Sequence, residues 1–436
     1  MTTSKTEQQS DTPLYDVVII GGGMVGASLA CALMPAICEF GLKVAIIESF
    51  VLPERADEVL YQPSYDDRST AISYGSRCLL QQLGVWQSLS LHATPIEHIH
   101  VSDKGYFGKT RLHAEEHGIE ALGYVVENAW LGRVLLQRVR ASVTIDCISP
   151  ASVSAITTMV EDDGTSYQRL HVEGGNGPQQ INTRLAVVAD GGRSQLCQKL
   201  GIGSRQSAYQ QCAIIANVSA EKPHNNVAYE RFTEQGPIAL LPLHEEKSSR
   251  QQRSALVFTV ASKDVESVLA MDDSAFLAEL QGRFGYRLGR FTGIGKRESY
   301  PLSLQRSAEQ VRPGIVVIGN AAHTLHPVAG QGFNLALRGL MTLAKHLQQG
   351  LAAGKRPGSL QVLQAYVAEQ QADQDKTILF TDQLLKLFGS NNSLVGHVRG
   401  CGLLALDLFR PARHTFARQA MGLGDRLPRV GAGVSE

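Results

Sequence analysis

Six residues near the start of the chain, Gly21-Gly22-Gly23-Met24-Val25-Gly26, fit the spacing G-x-G-x-x-G. With a strand before it and a helix after it, such a loop binds a dinucleotide. Gly21 can make the tight turn, Gly23 lets main chain approach a pyrophosphate, and Gly26 lets the helix lie close to the strand. The helix N-terminus offers N–H groups and about half a positive charge to the phosphates. Glu48, 22 residues beyond Gly26, is placed to accept hydrogen bonds from ribose hydroxyls. This loop alone leaves NAD and FAD both open.

The elements needed to hold it are present. Residues 16–20 form a β-branched apolar run suited to a strand buried on both faces. From Met24 the apolar residues Val25, Leu29, Ala32 and Leu33 recur at helical spacing, and Pro35 is expected to limit that helix. A second strand over 43–47 completes a parallel βαβ unit. Residues 128–140 read as a helix, and 185–189 and 315–318 as strands running into loops of small residues. Alternating segments such as 212–218 and 254–260 suit an antiparallel sheet with one wet face.

The expected class is therefore α/β. A Rossmann-type nucleotide domain is assembled from 14–94, 126–204 and 306–350. A mostly antiparallel sheet domain, 95–125 and 205–305, is inserted into it. Residues 351–436 form a C-terminal helical region, with Phe380, Leu384, Leu387 and Phe388 at helical spacing.

Composition narrows the function. Forty-one basic residues balance 41 acidic ones in 436, so no global basic field draws in nucleic acid. Seven scattered cysteines without a C-x-x-C pair read as reduced thiols in a cytoplasmic protein. No window reaches the roughly 18 apolar residues of a membrane span, and the polar N-terminus does not suit a signal peptide. His323 and His326 lack a third ligand nearby, so no metal is expected, and they read as loop histidines beside a cofactor. The neighbouring Asp66 and Asp67 need not converge on one bond, so paired-carboxylate catalysis is not expected.

Two later loops distinguish the cofactors. Asp190-Gly191-Gly192-Arg193-Ser194 and the run from Gly319-Asn320-Ala321-Ala322-His323 through Pro327, Gly330-Gln331-Gly332-Phe333-Asn334 resemble the DG and GD fingerprints of the class A flavoprotein aromatic hydroxylases. That resemblance implies FAD in a p-hydroxybenzoate-hydroxylase-like fold. It places Asp190, Gly191, Gly319 and Asn320 near the ribityl or ribose region, and Pro327, Gly330, Gln331, Gly332, Phe333 and Asn334 at the flavin. There a helix starting near Gln331 would direct N–H groups to the pyrimidine edge and stabilise anionic reduced flavin.

Residues 66–73 resemble the family's Asp-x-Arg-x-x-Ala-Leu-Ser helix start, which gives Arg68 to the FAD phosphates. Arg133 is a further candidate for them. The chain departs from the pattern at Asn320, where Asp is usual, and at Cys197, where Arg is common. The halogenase motif W-x-W-x-I-P is absent. No second G-x-G-x-x-G follows a strand, so NAD(P)H must dock without a dinucleotide domain of its own.

Residues 229–243, 319–322, 406–409 and 417–424 are similar to the ubiquinone-biosynthesis hydroxylases, most closely the branch acting at ring C4 of 2-polyprenyl-6-methoxyphenol. The resemblance implies that NAD(P)H reduces FAD, that O2 gives a flavin C4a-hydroperoxide, and that the phenol ring takes the distal oxygen. Phe232, Gly236, Pro237 and Leu241 are candidates for the substrate side, a structural strand and turn being the alternative. Sibling enzymes acting at C5 or C6 share most of these segments, and a non-catalytic scaffold of the biosynthetic complex is the alternative of another class. A polyprenyl phenol must arrive from a membrane or carrier protein, so the protein is expected in the cytoplasm or at the periphery of the inner membrane. The apolar tail segments 380–388 and 403–409 are read first as cover for the FAD domain, with docking on a membrane or carrier as the alternative. Oligomeric state is left open.

Overall fold

A computed structural model describes residues 14–52, 68–174, 177–192, 194–244, 252–325, 330–388, 393–424 and 426–430. The chain opens with β1 (Leu14–Ile20), α1 (Met24–Phe40) and β2 (Val44–Ile47). Strand β3 (Ser69–Ser73) leads into α2 (Tyr74–Gln82). A hairpin of β4 (His98–Asp103) and β5 (Lys109–His113) precedes β6 (Gly123–Glu127), α3 (Asn128–Arg140), β7 (Ile145–Ile148) and β8 (Gln179–Val188).

The second half continues through β9 (Ser204–Ala220), β10 (Val227–Phe232), β11 (Ile238–Pro242), β12 (Gln252–Ala261), α4 (Asp273–Phe284) and β13 (Glu298–Ser307). It closes with β14 (Ile315–Val317), α5 (Gln331–Ala352), α6 (Leu360–Phe388), α7 (Ser393–Leu408) and α8 (Arg410–Ala420).

The first sheet has the parallel order β14-β8-β1-β2-β7. Its central runs, 17–20, 44–47, 185–188 and 315–317, are apolar because both faces are covered there. Val17, Ile19, Leu185, Val187 and Val316 face α1, α3 and α5. Val18, Ile20, Ala186, Val188 and Val317 face the hairpin Ala151–Val160 and Ser166–Gly174 and the helix carrying Leu196 and Cys197.

The second sheet runs β13-β9-β12-β11-β10-β4-β5. It is antiparallel except that β4 lies parallel to β10. The two alternating segments pair directly, Cys212 opposite Val260 and Val218 opposite Ser254. Two of its components lie outside the ranges expected for the inserted sheet: β9 begins at Ser204, and His323–Thr324 adds to β13. Strand β6 pairs instead with β3 in a third, three-stranded sheet.

Three expectations need correction. Pro35 does not stop α1, which continues to Phe40. Burial of Ala36 and Ile37 in the main core stabilises the turn after the proline, and Gly41, at φ 67°, ends the helix by donating its N–H to the Ile37 carbonyl at 2.9 Å. The segment around Arg68 is not a helix start: residues 69–73 pair with β6, and the helix begins only after Ser73, whose Oγ accepts the Ser76 N–H. Nor is one face of the second sheet wet throughout. One face packs Phe258 against Phe276 of α4, while on the other Ala228 and Ala255 are buried, and Leu241 half-buried, against Ile96 and Val125 of the small sheet.

Candidate cofactor and substrate site

Strands β14, β8 and β1 are neighbours, so the loops leaving their carboxyl ends converge on one crevice, the usual ligand position in an open parallel sheet. Their closeness can be read from what glycine permits. A side chain on Gly21, at φ 105°, would stand 2.6 Å from the Ala189 carbonyl oxygen, and one on Gly26 would collide with the Gly21 carbonyl. A methyl group on Gly319 would lie 3.0 Å from Val25, and one on Gly192 3.0 Å from Thr324 Oγ1. Loops separated by about 170 and 130 residues thus touch in sequence order around one opening.

Glu48, at the end of β2, is buried, and its carboxylate faces the first loop. Oε2 accepts the Gly22 N–H at 2.6 Å, and Oε1 accepts from Ser49 Oγ and the Phe50 N–H, each at 3.0 Å. Two ionised oxygens have about four acceptor positions, so one remains on Oε2 for a further hydroxyl donor. Gly22 carries no chemical group in its side chain, which is why the residue pattern alone did not reveal this contact.

The N-terminal ends of α1 and α5 supply the positive side. Both begin at a glycine cap, Gly23 and Gly330, and among the described residues neither has a side-chain cap or an acid in its first turn. By contrast, α4 is capped by Asp272. Beside them, among the described residues, methyl groups built on Gly191 or Gly332 meet nothing within 4 Å. Uncapped helix ends facing open glycine surfaces fit a diphosphate and a flat ring.

The remaining candidates fall into place unequally. Asp190 Oδ2 accepts from Ser194 Oγ at 2.8 Å and closes its own loop. Asn320 is exposed at the end of β14. Arg68 stacks its guanidinium 4.7 Å from the centre of the Tyr300 ring on β13, and exposed Arg133 lies 5.7 Å over Trp130. Phe333 packs on the main core. Gln331 turns away from the crevice and donates Nε2 to the Ala420 carbonyl at 3.3 Å. Arg193, His326 and Pro327 lie outside the described residues. His323 is buried, and burial pushes its imidazole down to about 4. Among the described residues no three His, Cys, Asp or Glu side chains could hold a metal ion.

On the second sheet, Phe232 and Leu241 share the face toward the small sheet and the tail helices. Phe232 is buried against Val101, Leu384 and Leu403. Gly236, at φ 130°, closes a turn with Thr233 and presses on Thr259, while Pro237 supplies the carbonyl that the Thr259 N–H meets at 3.2 Å. A separate cavity of about 270 Å³ behind α5 is lined by Arg338, Glu369, Asp373 and Lys376, too charged for a prenyl chain.

A parallel sheet with a glycine cradle, two uncapped helix ends and an antiparallel sheet beside it defines a flavoprotein of the FAD-dependent aromatic hydroxylase class. The family model described as FAD binding domain matches residues 14–380, and the chain belongs to that family. It is an FAD-dependent monooxygenase, of a class that takes electrons from NAD(P)H and oxygen from O2.

The chain is 36% identical to ubiquinone hydroxylase UbiL of Rhodospirillum rubrum, covering 96% of this chain and 93% of that protein. It is 30% identical to the 3-demethoxyubiquinol 3-hydroxylase of Escherichia coli, covering 94% and 98%. Human mitochondrial ubiquinone biosynthesis monooxygenase COQ6 is 29% identical, with 93% and 92% covered. Among solved structures, p-nitrophenol 4-monooxygenase PnpA of Pseudomonas putida shares the fold, with a TM-score of 0.75 at 15% identity over 95% of this chain and 99% of that one.

Proposed function

We propose that the protein hydroxylates a polyprenyl phenol in ubiquinone biosynthesis, with ring C4 of 2-polyprenyl-6-methoxyphenol as the position attacked. The observation that carries the hydroxylase reading is the meeting of three glycine loops at the carboxyl ends of β1, β8 and β14. Relatives named as ubiquinone hydroxylases support the pathway, and the segments 229–243, 319–322, 406–409 and 417–424 favour C4. The Escherichia coli relative, named for another ring position, supports a second reading with the same chemistry at a different carbon.

In this reading residues 14–94, 126–204 and 306–350 hold FAD, and 95–125 with 205–305 hold the phenol. Gly21, Gly23, Gly26 and the start of α1 receive the pyrophosphate, and the remaining Glu48 acceptor position takes a ribose hydroxyl. Asp190, Gly191, Gly319 and Asn320 border the ribityl chain. Gly330, Gly332 and the start of α5 meet the pyrimidine edge, where uncapped N–H groups favour negative charge. Arg68, on Tyr300, stands between the two sheets and contributes fixed positive charge. Bound FAD supplies the redox chemistry: electrons from NAD(P)H send one atom of O2 to the ring and the other to water. The chain's own part is to orient the phenol with Phe232 and Leu241 and to exclude water with the tail helices.

The test is turnover of a short-chain 2-prenyl-6-methoxyphenol in detergent with NAD(P)H and isotopically heavy O2. One heavy oxygen on the ring, located by mass spectrometry at C4, is expected. Label at another carbon transfers the proposal to the second reading, and flavin reduction without any ring oxygenation overturns both.

A further inference from the structure

Helix α7 has two faces with different commitments. Its inner face is fixed to the β4–β5 hairpin: Arg399 Nε donates to Asp103 Oδ2 at 2.5 Å with both side chains buried, Thr110 Oγ1 donates to the Leu403 carbonyl at 2.7 Å, and the Arg111 N–H donates to Asp407 Oδ1 at 2.8 Å. Gly400 admits the hairpin turn, since a methyl group there would collide with the Phe107 carbonyl. Leu403 meets Phe232, so this face walls the side of the sheet read as the substrate side.

Among the described residues no side chain of the outer face makes such a bond. Val398, Cys401, Ala405 and Leu408 fall within roughly 80° of helical arc at about 100° per residue, and Phe409 follows in extended backbone after the last turn. All five are exposed, Val398 by 70%, Leu408 by 73% and Phe409 by 61%. Phe107, in the hairpin turn that packs on the inner face at Gly400, is itself 88% exposed. Exposed Lys104 and Lys109 flank that turn, and Arg111 and Arg410 border the last turn of α7. The acid on this helix end, Asp407, is turned to Arg111 at 3.5 Å.

We propose that the outer stripe of α7 together with Phe107 seats the protein on an anionic phospholipid bilayer, an inference that rests on the polyprenyl phenol reading and gives that substrate its route. An apolar stripe with aromatic residues and a cationic rim matches the boundary between acyl chains and anionic headgroups. A second copy of the chain fits worse, because a two-fold contact would set the same cationic rims against one another. Among the described residues no helix is long and apolar enough to cross a membrane, so contact is from one side. The helix that meets lipid also borders the substrate face through Leu403, so the prenyl tail can pass from bilayer to sheet without crossing water.

The experiment is flotation of the full-length FAD-bound protein with phosphatidylcholine vesicles, with and without phosphatidylglycerol. Wild type is expected to float with the anionic vesicles. Leu408→Ser with Phe409→Ser, and separately Lys104→Glu with Lys109→Glu, should each reduce the bound fraction about tenfold. Neither pair should alter FAD content or hydroxylation of a detergent-dispersed short-chain phenol. Wild type that stays unbound, or equal flotation of the variants, overturns the docking surface. So does a dimer that the Leu408→Ser/Phe409→Ser change dissociates, which would assign the stripe to a second copy, or retention on a lipid-carrier protein with none on vesicles. Failed flotation with phenol hydroxylation intact overturns the docking alone, whereas flotation without hydroxylation overturns the substrate reading.

Discussion

The side-chain amide of Asn334 joins α5 to Ser73: Oδ1 accepts the Ser73 N–H at 2.9 Å, and Nδ2 donates to the carbonyls of Ala71 and Gly330 at 2.9 and 2.7 Å. Asn334 is buried, so these three bonds have no ready replacement by water. Asn334→Ala would leave the Ser73 N–H and the Ala71 carbonyl short of a partner in a dry site, while the Gly330 carbonyl keeps the Asn334 N–H as the first helix bond. At about 1–3 kcal/mol for an orphaned buried group, offset by relaxation, we expect a loss of about 3 kcal/mol in urea unfolding of the FAD-free protein. A loss below about 1 kcal/mol would show that solvent takes over the amide's role.

That bond also shows where sequence legibility ended. Strands β1, β8 and β14 were readable because a strand covered on both faces needs an unbroken apolar run, and Gly21 and Gly26 because their spacing fits a turn and a close helix. The partner of Asn334 lies 261 positions away, and nothing local to residue 334 indicates it. Arg68 presented the same difficulty: its charge was legible, but Tyr300 beneath it comes from a strand of the other sheet. Pro35 misled for a complementary reason, since the local cost of a missing N–H was outweighed by burial of the turn that follows. The tail was half legible. Leu403 is indeed buried, but against Phe232 of the antiparallel sheet instead of the parallel-sheet core, and the same helix leaves Leu408 exposed.

Position 320 lies at the proposed ribityl site. Asn320 follows β14 at the crevice, with its carbonyl accepting from Thr324 Oγ1 at 3.2 Å. Asn320→Asp adds a negative charge beside the proposed ribityl site with little change of shape. Anionic reduced flavin would be disfavoured, so the midpoint potential should fall. Reductive titration against a reference dye measures it, and an unchanged or raised potential would remove this side chain from the flavin's surroundings.

Two buried histidines predict a pH dependence of stability. Burial pushes His323 down to about 4, and burial followed by the nearby Arg287 charge does the same to His100. The unfolded chain takes up these protons near pH 6.5, whereas the folded chain resists until about 4. The unfolded state therefore binds more protons in that window, and stability is lost as pH falls through it. Asp103, whose carboxyl burial raises, acts in the opposite sense. Stability measured from pH 7.5 to 4.5 should decline less steeply in His323→Asn than in wild type. Parallel curves would mean that His323 is protonated equally in both states.

Gly332 and Gly26 separate the fold from the reaction. A methyl group on Gly26 meets the Gly21 carbonyl and Ile19, so Gly26→Ala must shift α1 and should lose FAD. Among the described residues a methyl group on Gly332 meets no atom within 4 Å, so Gly332→Leu should leave the FAD-free chain within about 0.5 kcal/mol of wild type. Its bulk would instead enter the space proposed for the flavin ring, while the contacts of Gly21, Gly23, Gly26 and Glu48 at the far end keep the cofactor bound. Ring and phenol would then be misaligned, and water would reach the reaction face. Misplacement of about 1 Å is enough for large losses, so product formed per NAD(P)H consumed should fall about tenfold while hydrogen peroxide rises. The assay compares both ratios at matched flavin content with a short-chain phenol. Equal coupling in variant and wild type would place the oxygen-transfer site away from the start of α5, and loss of FAD from Gly332→Leu would show that this end of the cofactor, and not the pyrophosphate loop alone, governs its retention.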